Sequence, residues 1–343
     1  MSRHVLLART DNAGDVLLAG PAVRAVAARA GRVTFLASPR GAVAAELLPG
    51  VDEVLVHECP WIEAPAPSVT RDAVEALVAD VAGRGVDEAI VFTSFHQSPL
   101  PLALLLRLAG VETIGAISVD YPGSLLDVRH SVADDVHEVQ RALSLAAALG
   151  YALASDDSRR LAIRRPAAAR PELPETPYVV IPPGASVPAR AWRSDRHAAL
   201  VAALAEGGRR VVVTGGPAET GLTATVAAAA PSAATDLGGR TDLAQLAEVL
   251  AGASAVVVGN TGPAHLAAAV GTPVVSLFAP TVPAVRWRPW RVPHELLHVD
   301  VPCAGCRARE CPVPGHPCLG GVTVATVVEA VERLASAREA VLA

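Results

Sequence analysis

The chain has 343 residues, enough for two domains that each bury a core. About half of it is apolar (51%), which excludes a disordered chain, and a formal net charge of −5 excludes a general attraction to nucleic acid or anionic lipid. Aromatic residues are scarce (3%) and every basic residue is arginine, a coding bias of GC-rich genomes rather than a chemical signal.

Short apolar runs alternate with longer helical patterns. The N-terminus, Arg3 to Arg9, reads as a strand ending in a polar loop, without the apolar core and small-residue cleavage site of a signal peptide. Strands are predicted at Val5–Ala8, Arg32–Leu36, Glu53–Val56, Glu88–Phe92 and Thr113–Ala116, with helices at Gly20–Ala30, Ala42–Leu48, Thr70–Gly83, Pro101–Ala109 and His137–Leu149. Between Arg164 and Pro177, four prolines in fourteen residues predict a stiff linker over 166–177. The alternation then restarts. Strands are predicted at Tyr178–Ile181, Arg210–Thr214, Ala233–Asp236, Ala255–Val258 and Val274–Phe278. The helices between and after them are Arg196–Glu206, Glu219–Ala230, Leu243–Ala251, Pro263–Val270 and Val324–Ala340. This is the pattern of two α/β domains with doubly wound parallel sheets around a cleft. No window reaches the roughly 18 uncharged apolar residues of a membrane helix. The expectation is a cytoplasmic protein without a transmembrane segment, its five cysteines reduced.

In the second half, three loops follow predicted strands, at the edge where open α/β sheets bind ligands. The first runs from Pro182 to Trp192. Gly184 and Ser186 can donate to phosphate oxygens, and Arg190 can grip a diphosphate with a bidentate fork; a solvated turn would read the same. The second runs from Thr214 to Glu219. Gly215 and Gly216 permit close backbone approach, while Glu219 either accepts from ribose hydroxyls or is a first-turn acid that favours the helix dipole. The glycine fingerprint of dinucleotide binding is missing, which counts against a nicotinamide-dependent oxidoreductase. The third loop, Asn260-Thr261-Gly262-Pro263, is the most informative. An apolar strand stops and a helix starts at once. Pro263 fits the first helical position, and Asn260 or Thr261 is the expected cap. Backbone amides of Thr261, Gly262 and the helix start, the Thr261 hydroxyl and His265 then converge on a spot that suits an anion, phosphate above all.

In the first half, Asp11, Asn12 and Asp15 follow the first strand. Asp15 opens an apolar helix. It reads either as that helix's N-cap or as a general base facing the phosphate site, with Asp11 as its rival. His96 and His137 are candidate substrate-binding groups or ordinary surface or core histidines. Near the C-terminus, Cys303, Cys306, Cys311 and Cys318 enclose His316. Four thiols in sixteen residues are able to hold zinc, but the paired C-x2-C layout is missing and Pro302, Pro312, Pro314 and Pro317 stiffen the loop. A thiol-lined loop is therefore the preferred reading, and no metal or cofactor is expected. Cys59 stands alone, as a buried thiol.

Taken in order, these motifs resemble glycosyltransferase family 9, the heptosyltransferases, which have the GT-B fold. The resemblance is carried by Gly14-Asp15-Val16-Leu17 with Pro21, by Ser94-Phe95-His96, by His137-Glu138-Val139 and the helix ending Leu149-Gly150, and by Pro183-Gly184-Ala185-Ser186 with Arg190 and Trp192. It continues through Gly215-Gly216-Pro217-x-Glu219, Gly238-Gly239-Arg240-Thr241-x-Leu243, and the stretch from Asn260 to Pro273.

The resemblance implies a Rossmann-like acceptor domain over 1–165, a Rossmann-like nucleotide-sugar domain over 178–322, and a last helix over 323–343 able to pack back on the first domain. It implies inverting, metal-independent transfer of a heptose from ADP-heptose to a glycan or small-molecule acceptor, with transient membrane contact compatible. Asp15 would be the general base. Ser186 and Arg190 would hold the diphosphate with Thr261 and Gly262 behind them, Glu219 the ribose, and the Thr241–Leu243 backbone would face adenine. His265 would line the sugar–phosphate site, with Asp11, Asn12, His96 and His137 toward the acceptor. Two residues depart from the family pattern. Arg190 stands where the family usually has Lys, and Asn260 stands where it usually has an Asp that contacts the donor sugar. The change to Asn leaves a nucleotide-sugar-binding protein without turnover, or a transferase of another nucleotide sugar, as alternatives.

Overall fold

In a computed structural model, which describes residues 3–63, 65–165 and 171–342, the apolar runs form two six-stranded parallel sheets. The chain divides into two compact units, Met1–Arg164 and Arg165–Ala343. Residues 166–170 of the expected proline-rich linker lie outside the described residues.

The first unit contains β1 (His4–Arg9), α1 (Ala13–Ala27), β2 (Arg32–Ala37), α2 (Pro39–Ala45), β3 (Glu53–Val56) and α3 (Arg71–Arg84). It continues with β4 (Glu88–Val91), α4 (Leu100–Leu108), β5 (Thr113–Ile117), β6 (Val128–His130) and α5 (Glu138–Ala148). Its strand order is β3-β2-β1-β4-β5-β6. The central strand β1 is buried along its whole length, between β2 and β4. Leu6, Ala8, Leu36 and Ile114 pack with Leu77, Val81, Leu102 and Leu106 from α3 and α4. Strands this buried read as unbroken apolar runs, which is why the sequence shows them.

The second unit contains β7 (Tyr178–Ile181), α6 (Ser194–Glu206), β8 (Arg210–Gly215), α7 (Thr220–Ala227), β9 (Ala234–Gly238) and α8 (Leu243–Ala251). It continues with β10 (Ala255–Gly259), α9 (Gly262–Ala269), β11 (Val274–Leu277), α10 (Ala284–Trp287), β12 (His294–Leu297), α11 (Pro317–Gly320) and α12 (Val324–Leu342). Its order is β12-β11-β10-β7-β8-β9. The C-terminal helix α12 contributes Val327, Ala330 and Val331 to the core of this unit, beside Leu200, Val201 and Leu204 of α6.

Both sheets therefore reverse their winding once, between β1 and β4 in the first unit and between β7 and β10 in the second. The crevice outside the carboxyl ends of such strands is where doubly wound sheets bind ligands. The motif residues sit there: Asp11 to Asp15 after β1, Ser94 to Gln97 after β4, Gly184 to Arg190 after β7, and Asn260 to Pro263 after β10.

The sequence reading missed two edge strands and the short helices α10 and α11, and placed the starts of α1 and α2 too late. β6 and β12 are edge strands with partly exposed residues, so neither carries a full apolar run. The first helix begins at Ala13 rather than Gly20. Gly14, Gly20 and Pro21 discourage a helix locally, but all three are buried, and packing overrides propensity.

Candidate functional site

In the second unit, four loops at strand ends enclose a cavity of about 320 Å³. After β7, Gly184 and Ser186 form one wall; after β8, Gly215, Gly216 and Glu219 form the next. Thr241 and Leu243 close it at the start of α8, and Thr261 and Gly262 at the start of α9. These nine of the predicted residues are thus brought together. Arg190, Asn260 and His265 lie in the same loops or on α9 but do not line this cavity.

Each wall has a local cause. The Glu219 carboxylate accepts the Gly216 amide at 2.8 Å, which folds the loop after β8 into a tight turn. That carboxylate presses on Gly184, where an added Cβ would stand 1.8 Å from Glu219 Oε1, so a larger residue there would push the Glu219 side chain aside. At α8, Asp242 caps the helix: its Oδ1 accepts the Gln245 amide at 2.7 Å, and Gln245 Oε1 accepts the Asp242 amide at 3.0 Å.

The third loop differs from expectation in two details. Thr261 is the N-cap of α9, but its side chain makes no capping bond, and Pro263 is the second helical residue rather than the first. Fewer amides face the cavity than the sequence suggested. Thr261 N–H donates to the Gly259 carbonyl at 2.8 Å and Ala264 N–H to the Thr261 carbonyl at 3.0 Å. Pro263 has none to offer. The Gly262 amide stands at the head of the helix, where Gly262 lines the cavity. The Thr261 hydroxyl, and the Thr214 hydroxyl at the end of β8, are buried without a hydrogen-bond partner among the described residues. Thr214 and Asp242 both line the cavity, and the sequence reading had not singled out either.

The first unit builds a charged centre around Arg9, the last residue of β1. Its guanidinium is 3% exposed and meets Asp11 at 2.9 Å, Asp15 at 3.2 Å and Glu138 at 3.1 Å. It also donates to Ser94 Oγ at 2.8 Å. Burial opposes its charge, but the three carboxylates outweigh that, and Arg9 holds its proton more tightly than a free arginine does. Asp11 is locked by further bonds, from Ser94 Oγ to one oxygen and from Gln97 Nε2 to the other, each 3.0 Å. Asp15 is the most open of the three acids, its side chain 22% exposed against 5% and 1% for Asp11 and Glu138. It is the third residue of α1 and not its cap; Asn12 holds the cap position.

The histidines separate. His96 is exposed and meets the Phe95 ring edge-on. His137 is buried and caps α5, its Nδ1 accepting the Val139 amide at 3.2 Å. Sequence reasoning missed Arg9, Gln97 and Glu138 as members of one centre. The available signal was a charge ending an otherwise apolar buried strand.

Cys303, Cys306, Cys311 and Cys318 line a second, smaller cavity of the second unit together with His316, and all are free thiols. Burial, and the neighbouring Cys311 and Cys303, hold the Cys318 thiol above its ordinary range. Among the described residues, no group of three or more His, Cys, Asp or Glu is arranged to hold a metal ion. Cys59 is buried, and burial pushes its thiol up to about 12. No helix among the described residues is long and apolar enough to cross a membrane.

Comparison with known proteins shows the family and the fold. The profile of glycosyltransferase family 9 (heptosyltransferase) matches residues 98–316. The chain is 36% identical over 116 residues to lipopolysaccharide heptosyltransferase 3 of Escherichia coli K12, a stretch that spans 33% of either chain. It is 32% identical over 230 residues to lipopolysaccharide heptosyltransferase 1 of Pseudomonas aeruginosa, covering 63% of this chain and 61% of that one. Among solved structures, a family 9 glycosyl transferase from Veillonella parvula superimposes with a TM-score of 0.80 at 16% identity over 98% of both chains. The E. coli heptosyltransferase WaaC, solved with ADP-2-deoxy-2-fluoro heptose, does so with a TM-score of 0.71 at 23% identity over 96% of this chain and 99% of that one. These structures share the GT-B fold with the two sheets described above.

Proposed function

The chain belongs to glycosyltransferase family 9, and from that premise we propose that it transfers a heptose, or a closely related sugar, from an ADP-sugar to an acceptor hydroxyl. The observation that carries this reading is the cavity at the switch point of the second sheet. It brings close-packed glycines, a fixed carboxylate and two helix N-termini into one space. WaaC, a structural relative, was solved with ADP and with an ADP-heptose analogue, which supports the choice of nucleotide.

The mechanism that fits is an inverting displacement. Asp15 takes the proton of the acceptor hydroxyl as its oxygen attacks the anomeric carbon of the donor. The bond from that carbon to the diphosphate oxygen breaks, and the electron pair leaves with ADP. Arg190, Ser186 and the Gly262 amide stabilise the growing charge, each such preoriented donor being worth about 3 kcal/mol in the barrier. Asp15 is preferred over Asp11 because both oxygens of Asp11 are already bonded within the first unit. Asn260, where the family usually has Asp, can still accept a sugar hydroxyl through its carbonyl but adds a donor and carries no charge, so the donor is given as a heptose or a closely related sugar.

Because arginine and backbone amides take the place of a divalent cation in this reading, turnover is expected to persist in excess EDTA. Activity lost in EDTA and restored by magnesium would contradict it. A second expectation concerns Gly184. A methyl at this position displaces Glu219, so Gly184→Ala is expected to weaken ADP binding at least tenfold in a calorimetric titration while the protein stays folded. Undiminished affinity would remove Gly184 and Glu219 from the nucleotide site.

A further inference from the structure

We infer that Thr214 is a specificity-determining residue that reads the base of the nucleotide; the inference rests on the ADP-sugar reading above. β8 runs Val211-Val212-Val213-Thr214 before Gly215, and all four side chains are buried. Val211 and Val213 belong to the core shared with α6, α7 and α12. Side chains alternate along a strand, so Val212 and Thr214 occupy the opposite face. The chain replaces valine by its hydroxyl-bearing isostere at the one position on that face where the strand reaches the cavity.

That substitution carries a cost inside the protein. The Thr214 residue is 1% exposed, and its Oγ1 has no hydrogen-bond partner among the described residues. An unpartnered buried hydroxyl is unfavourable, and a ligand that bonds to it relieves that cost. The apolar part of the cavity lining points to which part of the ligand does so. Leu243, Leu246 and Pro182 line the same cavity. A flat heteroaromatic ring suits apolar walls with a single polar contact, whereas a diphosphate does not. The ribose hydroxyls have their own partner in Glu219, which lines the cavity beside Gly184 and Gly216 and keeps acceptor capacity beyond its one bond to the Gly216 amide. The geometry therefore assigns the Thr214 hydroxyl to a nitrogen of adenine and not to the sugar or the phosphates.

The test is calorimetric titration of ADP and UDP into the wild-type protein, Thr214→Val and Thr214→Ser. Valine keeps the shape, so the fold is retained, and circular dichroism checks this. The expected result is an ADP affinity 5- to 10-fold lower in Thr214→Val, about what one lost hydrogen bond removes. UDP affinity stays unchanged, and Thr214→Ser recovers most of the loss. Equal weakening of ADP and UDP would assign the hydroxyl to the shared ribose diphosphate and overturn the inference, as would no weakening at all. A wild-type protein that binds neither nucleotide would instead overturn the ADP-sugar reading, and this inference with it.

Discussion

Replacing Asp15 by Asn is expected to lower turnover about a thousandfold while leaving the affinity for ADP within a factor of two. General-base catalysis typically contributes 10²–10⁴-fold, and an amide cannot accept the acceptor's proton. The separation of the two effects follows from the fold. Asp15 belongs to the first unit, whereas every residue that lines the candidate nucleotide cavity belongs to the second. Stability should change little, because Asp15 is the most exposed of the three acids around Arg9. Steady-state transfer kinetics, with calorimetry of ADP on the same variant, check both halves. Turnover within tenfold of wild type would reject Asp15 as the base.

Arg9→Met is expected to destabilise the first unit by about 3–5 kcal/mol, the usual result of removing one partner from a buried ion pair. The cost does not come from the lost attraction alone. Asp11 and Glu138 are almost fully buried, and each would keep its charge without a counter-charge or would have to take up a proton to lose it. Arg9→Lys should recover only part of the loss, since an ammonium cannot repeat the fork that reaches Asp11, Asp15, Glu138 and Ser94 together. Urea denaturation followed by circular dichroism measures this. A change below 1 kcal/mol for Arg9→Met would mean that the centre contributes nothing to folding.

These two centres were unequally legible in the sequence. The candidate nucleotide cavity was readable because each of its walls is a short loop directly after an apolar strand, and a parallel sheet places such loops on one edge. Gly184, Glu219 and Thr261 could be picked out one loop at a time. Thr214 escaped notice because it looks like the last residue of a valine strand, and its hydroxyl gains meaning only from the cavity beside it. The Arg9 centre was not readable in the same way. Glu138 lies 129 residues from Arg9, and Ser94 lies 85 away. No local spacing links them, and only the pairing of β1 with β4 and the packing of α5 on α1 bring them together. His137, read from the sequence as either a binding group or a surface or core histidine, is buried and caps α5. β6 and β12 were missed because an edge strand needs fewer apolar residues than a central one.

The central claim is that the second unit holds a nucleotide diphosphate at the head of α9. A crystal structure of the chain with ADP tests it most directly. The account predicts one nucleotide per chain, its diphosphate within hydrogen-bonding distance of Ser186 and the Gly262 amide, and its base against Leu243. Density for ADP anywhere else, with this cavity left empty, would contradict it.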